Sequence, residues 1–242
     1  MPHFILQSDL DGFFQEFPNA VRNSCFYQNW YHQNSAYTWE SCQDPFALEP
    51  ETLAKAIPAG SLEFCEQFLK QIDPNLSIPV LNIPKELEPF ANRRIWRRCK
   101  KDDLQKLLKV HGTLFIKEEH KNKGFSNIVN AKSFIPEETE FFASEVVDIS
   151  AEWRVFFNRG QIVDAKPYIL DEWLVPDKKI IEEMLAQWGA QPPSGTIDIA
   201  LDQAGRQFLL ECHPFISVGL YGFDEADVAL MAMRTWNWIR KN

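Results

Sequence analysis

Residues 195–222 constrain this chain more than any other stretch. They read as a strand, a tight turn containing Asp202 and Gly205, and a second strand. Ile197, Ile199, Leu209 and Leu210 make both strands apolar enough to be buried. Asp198 stands on the first strand, and Glu211 and His213 stand at the end of the second. Side chains two apart on a strand share a face, so Glu211 and His213 point the same way, and Asp198 can converge with them on one cation. A carboxylate pair suits Mg²⁺, which takes oxygen ligands and keeps waters beside substrate phosphates. A hairpin with a merely solvated polar face fits less well, because the strands are too apolar. Cys212 lies between Glu211 and His213, so alternation turns it to the opposite face and argues against a Cys212–His213 dyad.

Two further stretches carry charge at strand positions. Leu114-Phe115-Ile116-Lys117 ends an apolar strand on a lysine, and Lys121-Asn122-Lys123-Gly124-Phe125-Ser126 follows. Taken alone, Lys117 reads as a side chain that snorkels to water, and Gly124 as a place where backbone approaches closely. The second stretch runs Ser144-Glu145-Val146-Val147-Asp148-Ile149-Ser150-Ala151-Glu152-Trp153-Arg154-Val155-Phe156-Phe157. Arginine in such a strand is costly to bury without a partner. Arg154 therefore either pairs with an acid such as Asp198 or Glu211, or meets an anionic ligand.

In order and spacing these three stretches resemble the ATP-grasp superfamily, and within it a small phage and bacterial clade named for two arginines and a lysine. The resemblance covers residues 93–225 and extends more weakly to Ile57-Pro58-Ala59-Gly60-Ser61-Leu62-Glu63-Phe64, which looks like a strand-to-helix turn. It implies an α+β chain with an α/β N-terminal part: residues 1–90 as a domain preceding the ATP-grasp unit, and residues 91–242 as two α+β subdomains gripping a nucleotide. It implies ATP and Mg²⁺ or Mn²⁺ as cofactors, the metal held by Asp198, Glu211 and His213. Lys117 and Lys123 would reach phosphates, with Lys121 as an alternative to Lys123. Glu145, Val146 and Val147 would pair with the adenine edge through their backbone, and Glu152 would serve ribose or metal. Arg154 and Lys117 would be catalytic, with Lys166 a further candidate. The activity implied is an ATP-dependent carboxylate–amine ligase, with an acyl-phosphate intermediate and small-molecule or peptide carboxylate and amine substrates. The sequence departs from the pattern at two places. His213 replaces the usual Asn, and Glu118-Glu119 follow Lys117, where they would offset its charge. These keep open an alternative, a nucleotide-binding module impaired in catalysis.

Composition narrows the remaining classes. A net charge of −9 over 242 residues argues against general nucleic-acid affinity. No apolar run approaches the ~20 residues of a membrane span, and Met1-Pro2-His3-Phe4-Ile5-Leu6 lacks the basic start of a signal peptide, so it reads as a first core strand. Five scattered cysteines without Cys-x-x-Cys spacing point to a reducing, cytoplasmic compartment rather than to zinc or disulfides. Arg93, Arg94, Arg97, Arg98, Lys100 and Lys101 form a basic cluster that is either a solvated helix face or an anion site. The eight tryptophans read as core and subdomain contacts.

Periodicity predicts a strand at 3–7, a loop or short helix over 11–20, and no regular element over 21–48. It predicts helices over 49–56 and from Leu62, the latter capped by Ser61. Pro74, Pro79, Pro84 and Pro89 mark residues 73–90 as a linker. Helices follow at 101–110, 176–188 and 224–240. Strands are expected at 113–117, within 124–134 and at 141–149, with a hairpin formed by 153–157 and 161–165.

Overall fold

The computed structural model describes residues 1–31, 36–170 and 173–241. Strand β1 (His3–Gln7) carries Phe4, Ile5 and Leu6 fully buried in succession, the signature of a central strand covered on both faces. Helix α1 (Glu16–Tyr31) follows, then β2 (Thr38–Cys42), α2 (Pro50–Lys55), β3 (Ile57–Ala59) and α3 (Leu62–Ile72). The strands form a parallel sheet in the order β2-β1-β3. The Ser61 hydroxyl accepts the Phe64 amide at 3.1 Å, as its capping role requires.

Helix α1 and strand β2 correct the expectation of no regular element over 21–48, and α1 extends the short helix allowed over 11–20. Its buried stripe mixes Phe17, Ala20, Val21 and Cys25 with Ser24 and Gln28. Both polar members are satisfied: Ser24 Oγ and Gln28 Nε2 donate to the Ala226 carbonyl at 2.8 Å. Polar residues used as core hid the apolar period.

The proline-rich stretch ends in a 3₁₀ turn at Lys85–Ala91. A second, antiparallel sheet runs β4-β7-β5-β6, from β4 (Ile95–Cys99), β5 (Thr113–Glu118), β6 (Ser126–Asn130) and β7 (Phe141–Ser144). Helix α4 (Lys101–His111) packs Leu104 and Leu108 against Leu114, Ile116 and Phe141 on its back. The expected strand at 141–149 stops at Ser144, where the chain leaves for the next sheet. The basic cluster is built around strand β4, not around a helix, and its arginines have internal partners. Arg93 donates to Ser144 Oγ and to the Ala91 and Leu209 carbonyls. Arg97 pairs with Glu88 and Glu119, and Arg98 with Glu140.

The third sheet, β11-β10-β8-β9, is also antiparallel: β8 (Ala151–Asn158), β9 (Gln161–Leu170), β10 (Ser194–Leu201) and β11 (Gln207–Pro214). Helix α5 (Lys178–Gln187) covers it with Ile181, Met184 and Leu185. Helix α6 (Val228–Ile239) then returns to the first sheet, where Trp236 is wholly buried among Phe4, Phe68 and their neighbours. The architecture is α+β with a parallel α/β part at the N-terminus. No helix among the described residues is long and apolar enough to cross a membrane.

Candidate active site

Strand pairing sets the centre of the site. Across β10 and β11, Asp198 faces Glu211 and Thr196 faces His213, with a register shift after Asp198. One ligand atom from each of Asp198, Glu211 and His213 lies within 4.8 Å of the others. His213 Nε2 stands 3.0 Å from Glu211 Oε1 and 3.9 Å from Asp198 Oδ2. Two carboxylates and an imidazole at this spacing fit a divalent cation. Cys212, on the opposite face as alternation requires, is buried in the core.

Strand β8 places Arg154 opposite Asp198. The guanidinium makes a forked pair, Nε to Oδ1 at 2.8 Å and Nη2 to Oδ2 at 2.7 Å, and Nη1 donates to the Gly219 carbonyl at 3.2 Å. Both residues are buried, Asp198 at 1% exposure and Arg154 at 9%. Of the two alternatives open in the sequence, the acid partner is therefore present. Burial works against the Arg154 charge, but Asp198 outweighs it and holds the guanidinium above its ordinary range.

Lys117 comes from β5, on the other sheet, and its Nζ lies 2.7 Å from Glu211 Oε2. This contact joins the second sheet to the third. Burial works to raise the Glu211 carboxyl, yet the charges of His213 and Lys117 prevail and hold it well below the ordinary range. Glu152 is half-buried beside Tyr168; burial raises its pKa, helped by nearby Asp198 and Glu211.

Two cavities meet at Glu211 and His213. One, of about 260 Å³, is lined by Lys117, Lys121, Lys123, Gly124, Glu211 and His213. The other, of about 240 Å³, is lined by Arg154, Lys123, Glu211, His213, Leu62 and Val218 among others. Lys123 reaches both cavities, Lys121 only the first, and Lys123 Nζ rests 3.1 Å from Glu63. At Gly124 the backbone passes close to Glu118, since a Cβ there would lie 2.8 Å from the Glu118 Cβ. Glu145, Val146 and Val147 do not join the cluster. They line a separate cavity of about 770 Å³ with His111, Thr113 and Asp202, and the Glu145 carboxylate accepts the Arg94 amide at 2.9 Å.

Of the two acids expected to offset Lys117, Glu119 does not act on it. Its side chain is buried against Arg97 and the Arg98 amide. Lys166, opposite Arg154 in register, pairs with Asp164 at 3.0 Å. Tyr168, Tyr221 and Gly219 surround Arg154 and were not foreseen from the sequence. A tyrosine beside a proline on β9 and another in a loop carry no motif.

Lys117 on one antiparallel sheet thus touches the acid–imidazole cluster on another. The family model described as an ATP-grasp domain, family 2 of the clade named for two arginines and a lysine, matches residues 90–231, and the chain belongs to that family. Solved structures share the fold at low identity. The ATP-grasp ligase PsnB complexed with minimal precursor, Mg and ADP is 11% identical, with 96% of this chain and 97% of that chain covered and a TM-score of 0.53. D-alanine–D-alanine ligase from Bacillus anthracis, complexed with ATP, is 10% identical, covered over 100% and 98%, with a TM-score of 0.52. N5-carboxyaminoimidazole synthetase from Staphylococcus aureus, complexed with ADP, is 13% identical, covered over 96% and 76%, with a TM-score of 0.58. Among curated proteins none matches this chain.

Proposed function

We propose that the chain is an ATP-dependent carboxylate–amine ligase. The observation that carries this reading is the junction of two cavities at Glu211, His213 and Lys123, with Lys117 on one side and Arg154, forked to buried Asp198, on the other. The lysine side suits the ATP phosphates and the Arg154 side the carboxylate substrate. A substrate carboxylate oxygen attacks the γ-phosphorus and ADP leaves; an amine then attacks the acyl carbon of the acyl-phosphate and inorganic phosphate leaves. The protein's part is to align the reactants and neutralise charge in a site of restricted water. Lys117 meets the phosphates, Lys123 covers them, and Arg154 steadies the transferring group from a position fixed by Asp198. Asp198, Glu211 and His213 would hold Mg²⁺ or Mn²⁺, which supplies further charge neutralisation at the phosphates. Glu152 would face the ribose, and the backbone of Glu145–Val147 the adenine edge.

In the same reading residues 1–90 precede an ATP-grasp domain of residues 91–242, helix α6 returning to the first sheet. The substrates are a small-molecule or peptide carboxylate and an amine, and PsnB, also solved with its precursor peptide PsnA2, supports a peptide as one candidate. Five free, buried cysteines fit a cytoplasmic, reducing setting. The assay is ADP release with a panel of carboxylic acids, with hydroxylamine as the amine trap for acyl-phosphate. Hydroxamate that accumulates only with ATP supports ligation. ATP binding without ADP release or hydroxamate for any acid favours the alternative, a nucleotide-binding module impaired in catalysis, which His213 in place of Asn motivates.

Two expected results arise directly from the site. Mg·ATP at 100–1,000 times its Kd stabilises the fold by about 2.7–4 kcal/mol, because it binds the native state alone. A melting curve unchanged by millimolar Mg·ATP contradicts the nucleotide site. Imidazole is a better ligand for Mn²⁺ than for Mg²⁺, so wild type is expected to prefer Mn²⁺ and His213→Asn to shift toward Mg²⁺. Identical metal preference in the two proteins rules out ligation by His213.

A further inference from the structure

We propose that Tyr168 and Tyr221 are positioning residues that fix the plane of the Arg154 guanidinium; the catalytic consequence rests on the ligase reading above. The two rings stack with centroids 4.8 Å apart and planes 14° from parallel. The Arg154 guanidinium carbon lies 5.7 Å from the Tyr168 centroid and 5.2 Å from that of Tyr221. These three lengths describe a nearly equilateral triangle, so the guanidinium bears on the seam of the stack and on both rings at once. Asp198 holds one edge of the guanidinium and the Gly219 carbonyl a second position. The fork and the carbonyl fix the group in its own plane, and the rings restrict rotation out of that plane.

Each ring is itself held. Tyr168 stands beside Glu152 and packs flat against Tyr221. Tyr221 comes from the loop that follows β11 and is 46% exposed, yet its φ is +51°, in the left-handed region that costs a bulky residue energy. Ser217, earlier in the same loop, has φ +54°. Gly219 leaves room for the ring, since a Cβ there would stand 3.1 Å from Tyr221 ring carbons. A half-exposed aromatic gains little from burial, so burial alone does not account for a strained backbone that brings Tyr221 against Arg154. A fixed guanidinium is what electrostatic stabilisation of a transferring phosphoryl group requires.

The test compares Tyr221→Leu, which removes the ring, with Tyr221→Phe, which keeps it. The first readout is the Arg154 Nε–H resonance and its exchange rate in solution, with Arg154→Lys for assignment. The second is kcat and KM for ATP in the hydroxamate assay. Tyr221→Leu is expected to speed exchange at Arg154 and to lower kcat about tenfold or more while KM for ATP stays within about threefold. Tyr221→Phe is expected to keep both near wild type. An unchanged Arg154 resonance in Tyr221→Leu, equal losses in Leu and Phe, or freed Arg154 without a fall in kcat each overturns the proposal. A wild type without turnover overturns the ligase reading instead, and the resonance alone then decides whether the tyrosines fix Arg154.

Discussion

Asp198→Ala is expected to destabilise the fold by about 3–5 kcal/mol, the usual cost of leaving one partner of a buried ion pair alone. The fork to Arg154 lies between two central strands of the third sheet, with Asp198 1% and Arg154 9% exposed. Loss of the carboxylate strands a guanidinium that, among the described residues, retains the Gly219 carbonyl and the tyrosine rings. Arg154→Ala leaves Asp198 in the same position, so this variant loses stability as well as turnover. The double variant Asp198→Leu with Arg154→Met removes both charges and is expected to unfold at higher urea than either single variant. Equal urea midpoints for Asp198→Ala and wild type would show that the pair is not buried as described.

Lys117→Ala is expected to lower turnover about 10²- to 10³-fold, the loss seen when one preorganised charge donor is removed from a transition state. Its effect on stability is expected to be small. Glu211 keeps His213 at 3.0 Å, and the lysine stands at the sheet-to-sheet contact, outside either apolar core. Turnover and melting temperature therefore separate here, where for Arg154 they fall together. Wild-type ADP release by Lys117→Ala, with any accepted acid, would remove Lys117 from the catalytic set.

The acid–imidazole cluster was legible because it depends on two local rules, strand alternation and a short turn. Alternation placed Glu211 and His213 together and Cys212 away from them before any pairing was known. The Arg154–Asp198 fork was legible only as one of two options, because it depends on the register between β8 and β10, strands more than thirty residues apart in sequence. Helix α1 was hidden by Ser24 and Gln28, polar residues whose partners lie some two hundred positions away. The basic cluster looked helical because sequence does not show that Glu88, Glu119 and Glu140 would arrive to neutralise it along a strand. Tyr168 and Tyr221 had no signature, since their role lies in contacts between a strand and a loop.

The return of α6 to the first sheet makes the order of synthesis and the order of folding run against each other. Strand β1 leaves the ribosome well before α6, but Phe4 and Phe68 share a core with Trp236 and Ile239. At 5–20 residues per second, about 12–46 s separate Phe4 from Trp236. Through that interval the parallel sheet lacks part of its cover, and so does the Phe156 face of the third sheet, which shares the same core and meets α6 where Thr235 donates to the Ser194 carbonyl. The sheet synthesised before the other two thus completes its core only when α6 arrives.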